Sequence, residues 1–346
     1  MSSEPLVSIM IPNFNHSRFL DQCIMSAINQ TYKNLEIVIL DNSSTDDSVQ
    51  VASKYLSDPR VSVCRNQFNI VNQTYRVLSK LTRGKYKILL CADDYILEDF
   101  IRQAVEIMEK YPNVGYVHGE RDWVTEDGEI IELDPFYKCS FVAPGHSAMA
   151  VYMMTPVAHP SQGVFRTSAF EEIYGYDKEI DHLNADRTLW FYLSYKNDAA
   201  YIREKMSRIR IGRQTETYIT QKNFQHPILY HLMIEDFTKF ARAKNIPAVY
   251  NRKQEALKRL AYEFLGYAVG MLRMKDFTLA QSYLLYTKII DRDIVNNETY
   301  QSIENMVQNK YVDEDLLQNL KFFKKLEKRK RSYEPPEGYS EIQIGG

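Results

Sequence analysis

Two adjacent carboxylates, Asp93 and Asp94, close an apolar run of strand length, Lys85-Tyr86-Lys87-Ile88-Leu89-Leu90-Cys91-Ala92. A strand buried on both faces of a parallel sheet reads as such a short continuous hydrophobic run. In open α/β sheets the ligand crevice lies just beyond the carboxyl ends of these strands. A pair of acids there can hold a hard divalent cation, and the cation can hold the phosphates of a nucleotide. The same acids could instead cap the helix that begins near Leu97-Glu98-Asp99-Phe100. The surrounding elements decide between the two.

Those elements alternate from residue 6 to about 119. Leu6–Ile11, Leu35–Leu40, Val61–Cys64, the 86–91 run and Val114–Val117 read as strands. Between them lie helical periods: Phe19, Leu20, Cys23, Ile24, Ala27 and Ile28 after a capping Ser17, then segments near 49–56, 70–81 and 98–110. Strands and helices at this spacing imply a mainly parallel sheet with right-handed crossovers, an α/β class. Asp127-Gly128 marks a hairpin between Trp123–Thr125 and Glu129–Ile131. The Pro-punctuated segment 120–165 reads as irregular, the kind of long loop that carries function. Segments around Ile202 and Ile209–Ile211 read as edge strands.

After about Gln225 every segment is helical: 227–244, 252–273, 277–290, 294–308 and 312–330. The expected organisation is therefore a domain over 1–224, a helical domain over 225–332, and a disordered tail over 333–346. Residues 321–331 form a strongly basic stretch that could touch anionic lipid, although a solvated terminal helix is the better account of such residues. The helical block could form a homodimer interface or cover an acceptor site.

Composition narrows the class. The 346 residues carry 43 Lys and Arg against 45 Asp and Glu, a net charge of −2, so no nucleic-acid partner is indicated. Cys23, Cys64, Cys91 and Cys139 lack CxxC spacing, which suits reduced thiols rather than a zinc or disulfide framework. The first residues lack a signal-peptide pattern, and no apolar run approaches the roughly 20 residues of a membrane span. The expected location is cytoplasmic.

Several blocks together resemble one known family. Val7-Ser8-Ile9-Met10-Ile11-Pro12-Asn13-Phe14-Asn15, Ser26-Ala27-Ile28-Asn29-Gln30-Thr31-Tyr32 and Glu36–Asp46 resemble the opening of family 2 glycosyltransferases of the GT-A fold. Arg83-Gly84-Lys85-Tyr86, Cys91-Ala92-Asp93-Asp94, His159-Pro160-Ser161 with Val164-Phe165-Arg166, and Ala185-Asp186-Arg187-Thr188-Leu189-Trp190 extend the match. It covers about residues 5–215 and leaves the helical remainder outside.

The resemblance implies roles. Pro12, Phe14 and Asn15 would meet the nucleotide base, and Asp41 would accept its N3–H, a donor of uracil and thymine. Asp93, with Asp94 beside it, would meet a Mn²⁺ or Mg²⁺ ion and the diphosphate. Cys91 stands where the first acid of the family's DxD signature falls, a softer ligand than such ions prefer. Asp186 would be the general base, with Ala185 in place of the preceding acid that many members carry. Arg210 would be a cation near the diphosphate, although Gly212 replaces the histidine of the family's Arg-x-His. Apart from the resemblance, Arg76 on the helix before the central strand could face the diphosphate, with a solvated surface arginine the better account. His159, Arg166 and Trp190 would lie on the acceptor side, with Trp190 either a sugar floor or core.

The implied activity is inverting transfer of a sugar from a UDP- or dTDP-sugar to a hydroxyl of a saccharide or lipid-linked saccharide, in bacterial surface-polysaccharide or glycan assembly. A catalytically inactive nucleotide-sugar binder, or more weakly a nucleotidylyltransferase, are the alternatives.

Overall fold

The structure is a computed structural model. It describes residues 4–70, 73–173, 185–212, 220–319 and 333–344, with the side chains of residues 185, 186 and 319 outside the description. The chain divides into two compact units. One comprises Met1–Tyr152, Pro156–Ile211 and Arg331–Gly346; the other comprises Met153–Thr155 and Gly212–Lys330.

The first unit is built on an 11-stranded sheet. Its strands are β1 (Val7–Asn13), β2 (Leu35–Asp41), β3 (Val61–Arg65), β4 (Tyr86–Leu89), β5 (Tyr95–Ile96), β6 (Val114–Thr125), β7 (Ile130–Ile131), β8 (Phe141–Ala143), β9 (Gly163–Arg166), β10 (Asp198–Ile211) and β11 (Ser340–Glu341). The order is β11-β8-β10-β6-β9-β4-β1-β2-β3, with β5 on β10 and β7 on β6. Strand β1 runs parallel to both β2 and β4. The chain lays β2 and β3 on one side of β1, then crosses to place β4 on the other. That reversal opens a crevice at the carboxyl ends of β1 and β4, where α/β sheets bind ligands.

Helices α1 (Ser17–Ile28), α2 (Ser48–Ser53), α3 (Thr74–Leu81) and α4 (Phe100–Lys110) flank these strands. The periodic face of α1 buries Leu20, Cys23, Ile24 and Ala27 against Val7, Ile9 and Ile11 of β1 and Ile37 and Ile39 of β2, in one continuous core. Gly84 precedes β4 because a Cβ there would lie 2.4 Å from Ser8 Oγ, whose hydroxyl instead accepts the Gly84 N–H.

Three expectations are corrected. The segment around Ile202–Ile211 is no edge: β10 is an interior strand, parallel to β6 and antiparallel to β8. Register shifts fall between Ile202 and Lys205 and between Lys205 and Ser207, so the charged residues sit at bulges that hide the strand's alternation. The irregular 120–165 segment contains α5 (Gly145–Met154), which buries Ala148, Met149, Ala150, Tyr152 and Met153 and so shows no polar face to reveal its period. Residues 333–344 are ordered. Ser340 and Glu341 pair with Val142 and Phe141, Ile342 joins the core cluster, and Tyr333 exchanges backbone hydrogen bonds with Phe136 and Lys138. A two-residue polar strand carries no pattern of its own. The expected hairpin is present, Trp123 opposite Ile131, turning at Gly128 with φ of 89°.

The remaining helices of the first unit are α6 (Thr167–Ile173) and α7 (Ala185–Leu193). The second unit is helical: Gln225–Ala243, Pro247–Tyr250, Lys253–Arg273, Phe277–Ile290, Glu298–Gln308 and Glu314–Asn319. Asp276 and Asn297 cap two of these by accepting backbone N–H groups of Leu279 and of Thr299 and Tyr300. Phe264, Leu265, Leu272, Tyr283, Ile303 and Met306 are buried within it. Among the described residues, no helix is long and apolar enough to cross a membrane. The basic 321–331 stretch lies outside the described residues.

Candidate active site

The acid pair sits on a turn just past β4. Asp94 is 2% exposed and points inward, where its carboxylate accepts the Arg210 backbone N–H at 2.8 Å and the Ser161 hydroxyl at 2.6 Å. Ser161 Oγ also accepts the Cys91 N–H at 3.0 Å. Burial and the neighbouring Asp93 charge raise the Asp94 carboxyl well above its usual range, against the pull of Ser161 and Arg210. Asp94 therefore holds the turn, and half-buried Asp93 is the acid left to meet a ligand.

Arg210 supports that turn from below. Its Nε donates to Asp93 O at 2.8 Å, Nη1 to Thr125 O at 2.7 Å and Nη2 to Gln22 Oε1 at 2.9 Å. The guanidinium lies 4.1 Å from the Phe19 ring centroid. Three of the five donors of an arginine thus bind protein groups, so Arg210 positions Asp93 and Asp94 rather than presenting an open fork to a diphosphate.

On the other side of the crevice, the ends of β1 and β2 interlock. Asp41 is 1% exposed and accepts Asn13 Nδ2 at 2.9 Å and the Ser44 N–H at 3.1 Å, with Arg65 Nε at 3.4 Å. Asn13 Nδ2 also reaches Ser44 Oγ at 3.1 Å, while Asn13 Oδ1 is buried without a partner. A carboxylate has about four acceptor positions, so Asp41 keeps acceptor capacity for a donor such as a base N–H. Asn15 adopts φ of 57°; its N–H donates to Ser44 Oγ and its Oδ1 accepts the Thr45 N–H. It braces the two loops. Phe14 is 42% exposed, open for a base to stack on, and Pro12 pairs with Leu40 inside the sheet. Asn42 Nδ2 donates to Thr74 Oγ1 at 2.9 Å, docking the first turn of α3 here, with half-buried Arg76 two residues on.

His159 does reach the acid pair: its Nδ1 is 3.3 Å from Asp94 Oδ2. Burial and Arg121 push the imidazole below its usual value, so the contact is one of a neutral ring.

Two acceptor-side expectations are corrected. Arg166 pairs with Tyr86, the first residue of β4, at the end of the strand away from Asp93. Its guanidinium binds Met108 O, Val114 O and Tyr86 Oη and lies 5.2 Å from the Tyr86 ring. Trp190 is fully buried, its ring 5.1 Å from that of Tyr116, in space that exists because residue 163 is glycine: a Cβ there would lie 2.3 Å from the indole. It is core, not a sugar floor. Asp186 is the second residue of α7, and its side chain lies outside the described residues.

Comparison with known proteins bears on this crevice. Residues 8–173 match the family described as Glycosyl transferase family 2. These residues are a family 2 glycosyltransferase domain. An uncharacterized glycosyltransferase of Rickettsia felis is 27% identical over 218 residues, 63% of this chain and 35% of that protein. The chondroitin synthase of Escherichia coli is 30% identical over 128 residues, 37% of this chain and 19% of that protein. The chain thus spans about a third or less of the length of these relatives. Among solved structures, S. aureus TarS 1-349 in complex with UDP-GlcNAc superposes with a TM-score of 0.58 at 16% identity, over 88% of this chain and 92% of that one. The fold is GT-A, with a helical C-terminal region.

The donor set of the family 2 domain can be tested against the divalent ion that such domains commonly use. Cys91 Sγ, an Asp94 oxygen and a ring nitrogen of His159 lie within 4.8 Å of one another, but this S, O and N set suits softer ions than Mg²⁺, and Asp94 is already hydrogen-bonded on both oxygens. Asp93 is the oxygen ligand that fits a hard ion, with donor phosphates supplying the rest.

Sequence reasoning missed Asn13, Gln22 and Ser161. Ser161 stood inside the His159-Pro160-Ser161 block and could have been weighed. Nothing in the sequence marks Gln22, because its role depends on Arg210, far away in the chain.

Proposed function

We propose that the protein transfers a sugar, with inversion, from a UDP-sugar to a hydroxyl of a saccharide acceptor, in the assembly of a bacterial surface glycan. One observation carries this reading: Asn13 and Asp41 stand at the carboxyl ends of β1 and β2, and Asp93 follows β4 on the other side of β1, the switch point at which α/β sheets bind ligands. The crystallised TarS complex with UDP-GlcNAc and the synthase relatives favour UDP over dTDP and a polysaccharide context.

In this mechanism Asp41 receives the uracil N–H, and Phe14 covers the base. Arg210 and Asp94 hold the turn so that Asp93 faces the diphosphate. Asp186, ionised, takes the proton of the acceptor hydroxyl, whose oxygen attacks the anomeric carbon. The bond from that carbon to the phosphate oxygen breaks, and its electron pair leaves with UDP. Asp93 would hold a divalent ion, which would supply positive charge against the charge developing on the leaving diphosphate.

The test is UDP release and product mass from a panel of UDP- and dTDP-sugars, with and without Mn²⁺ and EDTA. The expected result is turnover with a UDP-sugar and a fall of about 10²–10⁴-fold in Asp186→Asn, with UDP affinity unchanged. Full turnover in Asp186→Asn removes that residue from the role of base. UDP-sugar binding with no turnover by the wild-type protein would instead support an inactive binder, for which Cys91, Ala185 and Gly212 are the arguments.

A further inference from the structure

Three side chains beside the acid turn bring three different donor atoms together. Cys91 follows β4, Asp94 lies three residues on, and His159 caps the short helical turn Pro160–Gln162. A sulfur, a carboxylate oxygen and a ring nitrogen from these residues lie within 4.8 Å of one another. His159 Nδ1 is 3.3 Å from Asp94 Oδ2. Two ligands at about 2.0–2.2 Å from a tetrahedral Zn²⁺ stand roughly 3.3–3.6 Å apart. That pair already has the spacing of ligands that share an ion.

One residue positions all three. The Ser161 hydroxyl donates to Asp94 Oδ2 and accepts the Cys91 N–H, and the Ser161 N–H donates to His159 Nδ1 at 3.4 Å. Hydrogen bonds of this kind orient the ligands of metal sites. The last of them also shows that Nδ1 carries a lone pair, and that lone pair faces a carboxylate oxygen. Two acceptors 3.3 Å apart call for a proton or a cation between them. Each Asp94 oxygen takes one protein hydrogen bond, which leaves acceptor capacity on both. The His159 side chain is 31% exposed and Cys91 is half-buried, so the cluster is not sealed from solvent.

The donor set selects the ion. Thiolate and imidazole suit Zn²⁺ and Co²⁺, whereas Mg²⁺ takes oxygen. Burial and the Asp94 and Asp93 charges raise the Cys91 thiol, so an arriving ion must send the thiol proton to solvent. An ion that gains little from sulfur does not repay that cost.

We propose that Cys91, Asp94 and His159 form a cation site of their own, which takes a borderline-soft divalent ion such as Zn²⁺ and is separate from the hard ion expected at Asp93. An ion bound there ties the 159–161 turn to the acid turn.

The test uses the full chain, free of any affinity tag and stripped of metal by a chelator that is then removed. Titration calorimetry follows Zn²⁺, Mg²⁺ and Mn²⁺, and absorption spectra follow Co²⁺. The expected result is one Zn²⁺ or Co²⁺ per chain, with a thiolate-to-cobalt charge-transfer band in the near ultraviolet. Cys91→Ser should remove the band and weaken Zn²⁺ about ten-fold or more, and His159→Gln should weaken Zn²⁺ similarly. Cys64→Ser and Cys139→Ser should leave both readings intact. Melts of the metal-free variants show that each is folded. No Zn²⁺ binding by the wild type, a cobalt spectrum without the thiolate band, or a band that survives Cys91→Ser overturns the proposal and leaves a proton between Asp94 and His159. Mn²⁺ binding lost in Asp93→Asn but kept in Cys91→Ser belongs to the donor reading and is read separately.

Discussion

Arg210 is the side chain on which the placement of the acid pair most depends. It joins the β4 turn, β6 and α1 through Asp93 O, Thr125 O and Gln22, while its backbone N–H fixes Asp94. Arg210→Met would leave those acceptors unmet in a site where the arginine is 6% exposed. A loss of about 2–3 kcal/mol in stability is expected, measured by urea unfolding, together with a fall in kcat larger than any change in UDP affinity. Arg210→Lys should recover little, because an ammonium cannot span three acceptors in a fixed fork. Asp46 gives a pH signature on the nucleotide side. Burial raises its carboxyl, but hydrogen bonds from Ser48 and Ser17 outweigh that and hold it at about 2, below the ordinary 3.8. A depressed carboxyl stabilises the fold above its unfolded pKa and loses that contribution as pH falls from about 4 towards 2. Because the group is partly exposed, screening reduces the effect to about 1 kcal/mol. Thermal melts of Asp46→Asn should accordingly show a smaller drop over that pH range than the wild type.

At this scale the sequence was readable where chemistry and strand ends coincide. Asp41 and Asp93 each follow an apolar run, so the parallel-sheet rule placed them on one edge. Arg166 and Trp190 were not readable in the same way. A residue's block does not say which end of an antiparallel strand it occupies, and β9 runs against β4. Nor does an aromatic on a helix face reveal whether a glycine opposite, here Gly163, has made room to bury it.

At the scale of elements, the surprise is how much the last strand does. Ser340 and Glu341 extend the sheet beyond β8, and Tyr333 and Ile342 fix the 136–142 segment on either side. Ile342 is 8% exposed, so Ile342→Asp would bury a charge without a partner. An expected loss of about 2–4 kcal/mol should appear in chemical unfolding, with faster amide exchange at Phe141–Ala143. An unchanged unfolding midpoint would show that the strand adds nothing. The tail escaped sequence reading because its strand is too short to show alternation. Strand β10 read as separate edge pieces because register shifts around Lys205 and Ser207 break the period on which strand recognition depends. The α1, α3 and α4 helices were legible because each keeps one polar face.

At the scale of the molecule, a family 2 domain supplies the crevice, and a helical unit of about a third of the chain accompanies it. The synthase and glycosyltransferase relatives are longer proteins, of which this chain spans about a third or less. What organises the first unit is the reversal of strand order about β1, which brings Asn13, Asp41 and Asp93 to one edge from distant parts of the chain. Soaking crystals of the protein with UDP tests that organisation directly. The predicted map places uracil within hydrogen-bond reach of Asp41, beside the Phe14 ring, with the diphosphate next to Asp93. UDP bound elsewhere on the molecule, or no nucleotide in a crevice left open by crystal packing, would contradict it.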